Sequence, residues 1–537
     1  MKREPTLILT GLLCAALAPA PAQIGRTQDW NTFGGDTGRS NFERIEGLLN
    51  KENVAKEFSL LYKLKLDAAQ AKGQRTVTPP VIIAILISYR GFKELAFVGG
   101  TDNSIYAVNA DPGRLFWQMP LIYSSDIPQL RDTEQPCGSG LAPAVSLVPP
   151  APFGRGGRGA PGAGALPPGR GLSNGGFGAT RPVLVLASDG RLHRLNAANG
   201  DDIGGPPVRF LPANAKPSML NVADNVVYTS TNQGCGAAPN AVWAMDFAQD
   251  PPAVTSFPTG GGGVWGAGGV ALGPDNTVYA QLGDGALDPA AGRYSNALLA
   301  LAPRTLELKQ YFTPPESGAA KNAGMNAATP VVFRWRNRTL IASTGKDGRV
   351  YLLDAEQVGG GDHHAYLSRS EALSDGATPE RGIYGLASWE DQGLGRWIAA
   401  AVWGPAGAAN PHGAIVTFRV QDNNGQPELK QAWTSRDLAS PVAPAVAGGV
   451  VFALSAGEYT RTVKQNPGGI FLAEEKPRPG THATLYALDA ASGKEIWSSK
   501  LQVPAPAALT GLTAANGRVY FGTTDSILYC FGIPMEH

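Results

Sequence analysis

Charge is scarce in this 537-residue chain: Asp, Glu, Lys and Arg together make up 17% of it, against roughly 25% in a typical soluble protein. The few charges nearly cancel, at a net +1. No global field therefore recruits nucleic acid or an anionic membrane, and nucleic acid is excluded as a partner class. Cysteine is rarer still, with 4 residues, too few for a fold built from disulfides. After the first two dozen residues no apolar run approaches the ~18 residues that a membrane-spanning helix needs, so no transmembrane segment is expected. Glycine is the residue in excess, at 68, and it favours many tight turns over long helices.

The N-terminus reads as an export signal. Lys2 and Arg3 precede an apolar run from Leu7 to Leu17, and Ala20-Pro21-Ala22 supplies small residues for cleavage before Gln23. Residues 1–22 are assigned to this signal peptide, which implies a periplasmic or secreted protein. Cys14 offers a lipid-anchor alternative, but Leu13 before it is bulkier than such a site accepts. In an exported chain one disulfide is expected between Cys137 (EQPCGSG) and Cys235 (NQGCGAA), both in Gly-rich loops; the alternative is two unpaired small residues. Cys530, inside the apolar YCF, reads as an inert core residue.

One phrase recurs along the chain. Residues 484–497 read TLYALDAASGKEIW and residues 104–117 read SIYAVNADPGRLFW. An apolar strand is followed by a turn with glycine, and an aromatic then opens the next strand. Upstream of many copies stands another strand and a tight turn, as in VLVLASDGRL (183–192) and LIASTGKDGRV (340–350). Asp-Gly between apolar runs is a strong hairpin signal. The central strand occurs eight times, with third positions at Tyr106, His193, Trp243, Leu299, Tyr351, Val416, Tyr486 and Tyr529, spaced by 87, 50, 56, 52, 65, 70 and 43 residues.

A period of roughly 40–60 residues with four strands per unit means propeller blades. The long first interval contains the low-complexity stretch 149–181, a loop insertion that cannot bury a core. After Tyr529 only eight residues remain, too few for an outer strand. The amphipathic FSLLYKLKL (58–66) is free to supply it and close the ring. The expected architecture is all-β: an eight-bladed β-propeller of four-stranded antiparallel blades over residues 58–533, closed by an N-terminal strand and preceded by an N-terminal segment, 23–57. The recurring aromatics Trp117, Tyr311, Trp433 and Trp497 are expected to pack between blades.

The consensus of a small-residue strand, a D-G or D-N turn and L-Y-A-L-D-A-x-x-G-K-x-x-W resembles the pyrroloquinoline-quinone (PQQ) propeller repeat. The stretch 29–66 and the segment YSNALLALAPRTLELKQYFTPP (294–315) are similar to parts of PQQ-dependent alcohol dehydrogenases. Outer-membrane assembly scaffolds share the repeat, so it implies the fold more strongly than the activity. The dehydrogenases hold PQQ on the ring axis beside calcium, with a Glu, an Asn and a catalytic Asp, under a disulfide of adjacent cysteines. Here 316–332 has no Asp, the third-blade segment offers Asn232 and Gln233 in place of the Glu, and no Cys-Cys pair or CxxCH haem motif exists. Asp284, in LGDGALDP, stands where the resemblance places the Asn and is the one calcium-ligand candidate. A neutral amide cannot take a proton in place of an Asp, so no catalytic residue is assigned.

Propellers expose the residues ahead of each inner strand at the mouth of the axial channel. The binding candidates are therefore Lys216, Trp265, Asp284, Asn326, Tyr384 and Thr510: an aromatic, a cation and polar groups around one opening. Asp362-His363-His364 is a weaker metal candidate, because adjacent loop side chains rarely converge on one ion. The expected function is binding of a small molecule or an envelope protein without redox turnover, by a monomer. The alternatives are a PQQ/calcium-dependent alcohol or sugar dehydrogenase and an envelope assembly scaffold. No cofactor is determined by the residues themselves; the resemblance names PQQ and calcium as those to seek.

Overall fold

In the computed structural model, residues 28–66, 76–88, 91–121, 143–149, 181–283, 285–315, 327–376, 378, 380–393, 395–404 and 410–534 are described. Residues 1–22, assigned from the sequence to a signal peptide, the body of the 149–181 insertion, Cys137, Asp284 and Asn326 lie outside them. Eight four-stranded antiparallel units follow one another around a ring. Their inner strands are Val81–Ser88, Ala144–Leu147, Asn221–Ala223, Ala271–Leu272, Val331–Trp335, Gly382–Glu390, Ala445–Ala447 and Thr513–Ala515; the blades are numbered 1 to 8 in that order. Each copy of the repeated phrase forms the third strand of its blade, as with Ser104–Asn109 in blade 1 and Thr484–Asp489 in blade 7. No helix among the described residues is long and apolar enough to cross a membrane.

Ring closure runs through the strand Ser59–Lys65. It pairs antiparallel with Ile527–Gly532, Ser59 opposite Gly532 and Lys65 opposite Ile527, and so becomes the outer strand of blade 8. Just ahead of it, the buried Phe58 anchors the junction against Trp497 at 4.9 Å and Phe452 at 5.3 Å between ring centroids. On the other side of the closing blade, Arg518 donates to Glu94 at 2.6 Å and to Asp111 at 2.7 Å, tying blade 8 to blade 1. A ring closed this way leaves no unpaired sheet edge at the seam.

Where the repeated aromatic occurs, in blades 1, 4, 6 and 7, it reaches into the next blade. Trp117 Nε1 donates to Ala197 O at 2.9 Å, and Trp433 Nε1 donates to Ala490 O at 3.1 Å. The turn glycine of the phrase receives the indole face: a Cβ on Gly493 would fall 2.4 Å from Trp433, and its φ of 72° is in the left-handed region. Tyr311 stacks on His363 of blade 5 at 3.8 Å between centroids. The phrase therefore encodes both a strand and its seam to the neighbouring blade.

The N-terminal segment does more than precede the ring. It circles the axis and bonds to the blades in order. Gln28 N donates to Asn516 of blade 8; Trp30 exchanges two bonds with Ile82 of blade 1, and Asn31 O accepts Leu147 N of blade 2. Thr32 Oγ1 donates to Leu220 O beside blade 3. The carbonyls of Thr37, Gly38, Ser40 and Asn41 then accept from Leu272, Val332, Ser388 and Val446 of blades 4 to 7, at 2.8–2.9 Å. Phe42–Glu43 ends the circuit as a short parallel addition to the inner strand of blade 7.

Candidate functional site

The circuit turns the axial channel into a pocket with a floor. Arg39 is fully buried within it and donates from Nε to Val270 O at 3.0 Å, from Nη1 to Thr32 Oγ1 at 2.7 Å and Phe33 O at 2.8 Å, and from Nη2 to Leu220 O at 3.1 Å. Burial pushes its pKa down to about 9, with Asp36 opposing, so it stays charged at neutral pH. Phe33 lies beside it, 5.9 Å from ring centroid to guanidinium, and packs close to Gly268 and Gly511 of the loops that lead into blades 4 and 8. Between Phe33, Arg39, Tyr384 and Thr510 the remaining void is about 20 Å³, room for about one water.

A roof closes the other side. Between the second and third strands of blade 7 the chain forms a separate hairpin, Tyr459–Gln465 and Phe471–Pro477, paired only within itself. Connections between second and third strands emerge on the same face as the loops ahead of the inner strands, because neighbouring strands alternate in direction. Seven residues of strand span roughly 23 Å, enough to bridge the mouth. The hairpin starts at blade 7, where Tyr459 OH donates to Ala507 O at 2.7 Å. Its tip reaches blade 3, directly across the ring, where Ile470 Cδ1 would stand 3.1 Å from a Cβ on Gly234. Under the tip a cavity of about 830 Å³ is lined by Pro239, Asn240, Gly261, Arg293, Lys346 and Phe471, among others, within the usual range for small-ligand sites.

Midway along the hairpin, Arg461 lies over the Tyr384 ring, 4.8 Å from its centroid, and its Nη2 pairs with Glu475 at 3.0 Å. Lys216 stands within electrostatic reach of both: burial and Arg461 lower its pKa, while Glu475 opposes them. Burial raises the Tyr384 pKa, with Arg461 acting against the shift. Two candidates from the sequence, Lys216 and Tyr384, thus gather under one roof with two residues that the sequence reading missed, Arg461 and Glu475. Their signal was present: the 70-residue interval between the sixth and seventh repeats exceeds the period, and QNPGG (465–469) inside it is a turn between two alternating runs.

Several polar atoms here are buried without a hydrogen-bond partner among the described residues. They include Trp265 Nε1, Thr510 Oγ1, Arg461 Nε and Nη1, and Asn232 Oδ1. Trp265 packs its ring against Gly283, where a Cβ would fall 2.2 Å from Cδ1. Asn232 donates to Val264 O at 2.7 Å, which leaves its oxygen idle. Away from the channel, His364 Nδ1 lies 2.8 Å from Thr313 O and His363 is stacked on Tyr311. No three His, Cys, Asp or Glu side chains converge as a metal site among the described residues.

With this geometry in view, the likenesses to known proteins are informative. A quinohemoprotein alcohol dehydrogenase, ADHIIG from Pseudomonas putida HK5, superposes with a TM-score of 0.58 at 14% identity, over 95% of this chain and 82% of its own. A europium-containing methanol dehydrogenase gives 0.58 at 12% identity, over 94% of this chain and 98% of its own. The fold is that of the quinoprotein propellers. At these identities the likeness extends to the fold alone. A family model described as outer membrane protein assembly factor BamB matches residues 430–532, the stretch that holds blades 7 and 8 of this quinoprotein-type propeller together with its hairpin. No curated protein matches the sequence.

The cofactors that such a propeller suggests can be tested against the residues. Calcium takes six to eight oxygen ligands. Around this channel the described residues offer two idle oxygens, Asn232 Oδ1 and Thr510 Oγ1, and one carboxylate, Glu475, which Arg461 already holds. The described set alone falls short of a calcium site, and Asp284, the candidate ligand, lies outside it. The idle N–H and O–H groups of Trp265, Arg461 and Thr510 instead fit a flat ligand rich in acceptor oxygens, a description that includes PQQ.

Proposed function

We propose that this is an exported propeller that binds a small, planar, acceptor-rich molecule in its axial channel and does not turn it over by redox chemistry. The observation that carries this reading is the set of buried, unpartnered donors between a floor and a roof built by the chain itself. Such groups cost roughly 1–3 kcal/mol each when left unmade, so a partner that satisfies them binds with a matching gain. The one described carboxylate at the roof of the channel, Glu475, is held by Arg461, and a neutral Asn232 cannot accept an alcohol proton in its place.

The test is a titration of the purified protein with PQQ, with and without calcium, followed by tryptophan fluorescence and then by dye reduction across a panel of alcohols and sugars. Quenching that disappears in Trp265→Ala, without dye reduction, is the expected result. Substrate-dependent dye reduction would establish the dehydrogenase alternative instead, and an absence of quenching would remove the channel from consideration. The envelope-scaffold reading is favoured by the match over residues 430–532 to an outer membrane assembly factor model. Partners captured from envelope extract only when the hairpin is intact would support it.

Export implies an oxidising compartment, where we propose that Cys235 pairs with Cys137. Cys235 is buried in a short 3-10 turn of the blade 3 loop that faces the hairpin tip. Non-reducing peptide mapping should recover the two cysteines in one linked peptide; alkylation of both without prior reduction would refute the bridge.

A further inference from the structure

The face opposite the hairpin presents apolar side chains to solvent at the seam between blades 8 and 1. Turns between first and second strands, and between third and fourth, emerge on this face, because neighbouring strands alternate in direction. In blade 1 Phe92 stands just past the first such turn and is 76% exposed. Ile85 and Leu115 of the same blade, and Ile45 and Leu48 of the N-terminal segment, are 43–50% exposed. The strand register puts Phe92 and Leu115 on the side of blade 1 that carries Glu94, which Arg518 of blade 8 holds. Leu48 lies on Gly517, in the first turn of blade 8, where a Cβ would fall 2.8 Å from its Cδ1. These side chains form a patch across the closing seam, and exposed apolar patches mark interaction sites.

Charge on this face narrows what the patch meets. Along the seam the acids are engaged: Glu94 and Asp111 accept from Arg518, Asp29 pairs with Arg181, and Glu46 accepts the N–H groups of Leu48, Leu49 and Gly517. Lys93 and Arg114 flank Phe92 and Leu115 and have no ion pair among the described residues. The 149–181 insertion joins the first two strands of blade 2, so it leaves and rejoins the ring on this same face. Its sequence carries Arg155, Arg158, Arg170 and Arg181 and no Asp, Glu or Lys. Gln28, the first described residue, is bonded to Asn516 in the same turn of blade 8 as Gly517, so the polypeptide ahead of it joins the ring here too.

We propose that this face docks on an anionic lipid surface, with Phe92, Ile45 and Leu48 entering the headgroup layer and Lys93 and Arg114 meeting its phosphates. A bilayer suits side chains that come from separate loops, since it asks for no backbone pairing and no shaped groove. An aromatic ring such as Phe92, flanked by a lysine, has the character of an interfacial anchor. The attraction is local, which agrees with a net charge of only +1 over the whole chain. Docked this way, the molecule turns its hairpin and the cavity under its tip away from the lipid.

Vesicle sedimentation with the chain from Gln23 onward tests this, using phosphatidylcholine alone and phosphatidylcholine mixed in equal parts with phosphatidylglycerol. The protein should bind the mixed vesicles at least about ten-fold more tightly, and added salt should erase the difference. Phe92→Ser combined with Ile45→Ser should weaken binding to the mixed vesicles by about ten-fold or more. Lys93→Gln combined with Arg114→Gln should weaken it by about as much and flatten its salt dependence. Leu501→Ser serves as the control: Leu501 is also 76% exposed, but it stands ahead of the inner strand of blade 8, on the hairpin face, and its loss should change nothing. Equal binding to both kinds of vesicle, or binding to neither, would overturn the proposal. So would equal weakening by the Phe92 and Ile45 pair and by Leu501→Ser. A dimer formed without lipid and dissolved by Phe92→Ser would assign the patch to a second copy of the chain, and would overturn it as well.

Discussion

Replacing Arg39 by Met is expected to cost about 3–5 kcal/mol of unfolding free energy, the loss seen when a buried charge network is broken from one side. The guanidinium gathers carbonyls from blades 3 and 4 and from its own segment around a single point on the axis. Methionine keeps the length of the stem but donates nothing, so Val270 O, Leu220 O and Phe33 O are left in a dry interior where each unmade bond is penalised. Lysine should recover little, because one ammonium on a flexible stem cannot reach acceptors set out for a planar fork. Guanidinium chloride unfolding at neutral pH measures the loss. A cost under about 1 kcal/mol would mean that the axial bonds are no better than surface contacts.

The second large effect is a pH dependence centred on Glu43. Its carboxyl is 1% exposed in the short strand beside Ala447; Oε1 accepts from Ile45 N at 3.0 Å, and Oε2 has no partner among the described residues. Burial raises its pKa to about 8; Glu46 and Asp29 add to the shift, while Arg44 and the Ile45 bond oppose it. The folded state therefore prefers the protonated acid. The stability that comes from this group is fully present below the unfolded value near 4.5 and is lost as pH rises through about 8. At about 1.4 kcal/mol per pKa unit, the full decline amounts to about 5 kcal/mol, of which about 3–4 kcal/mol falls between pH 5 and 8. Glu43→Gln cannot ionise, so its stability should change less between pH 5 and 8 by about that amount. Parallel pH profiles for the two proteins would show that Glu43 is solvated instead.

Much of the fold was legible because its signals are local and repeated. The strand and turn of TLYALDAASGKEIW recur around the ring and its aromatic in four blades, and Trp433 over Gly493 shows why. Closure was legible from arithmetic, since the last repeat lacks an outer strand and 58–66 has the pattern of one. The axial circuit was not, because DWNTFGGDTGRSNF has neither helical nor strand periodicity, and its bonds run to residues hundreds of positions away. Lys216, Trp265 and Thr510 could be named as channel-mouth candidates because each stands ahead of an inner strand, and Tyr384 because it stands near the start of one. Arg461 could not, since a loop's destination depends on what it meets across the ring.

The order in which the N-terminal residues visit the ring has a consequence for how the molecule is made. Residues 28 to 41 touch blade 8 first and then blades 1 to 7 in sequence, while the strand that follows waits for the last synthesised one. The earliest described part of the polypeptide is thus the axle on which every later part is mounted, and its circuit is complete only when the final blade exists. Pairings so distant in sequence are slow to form. The ring therefore closes only once its last strand is in place, and a product cut short near its C-terminus would be left with its rim open.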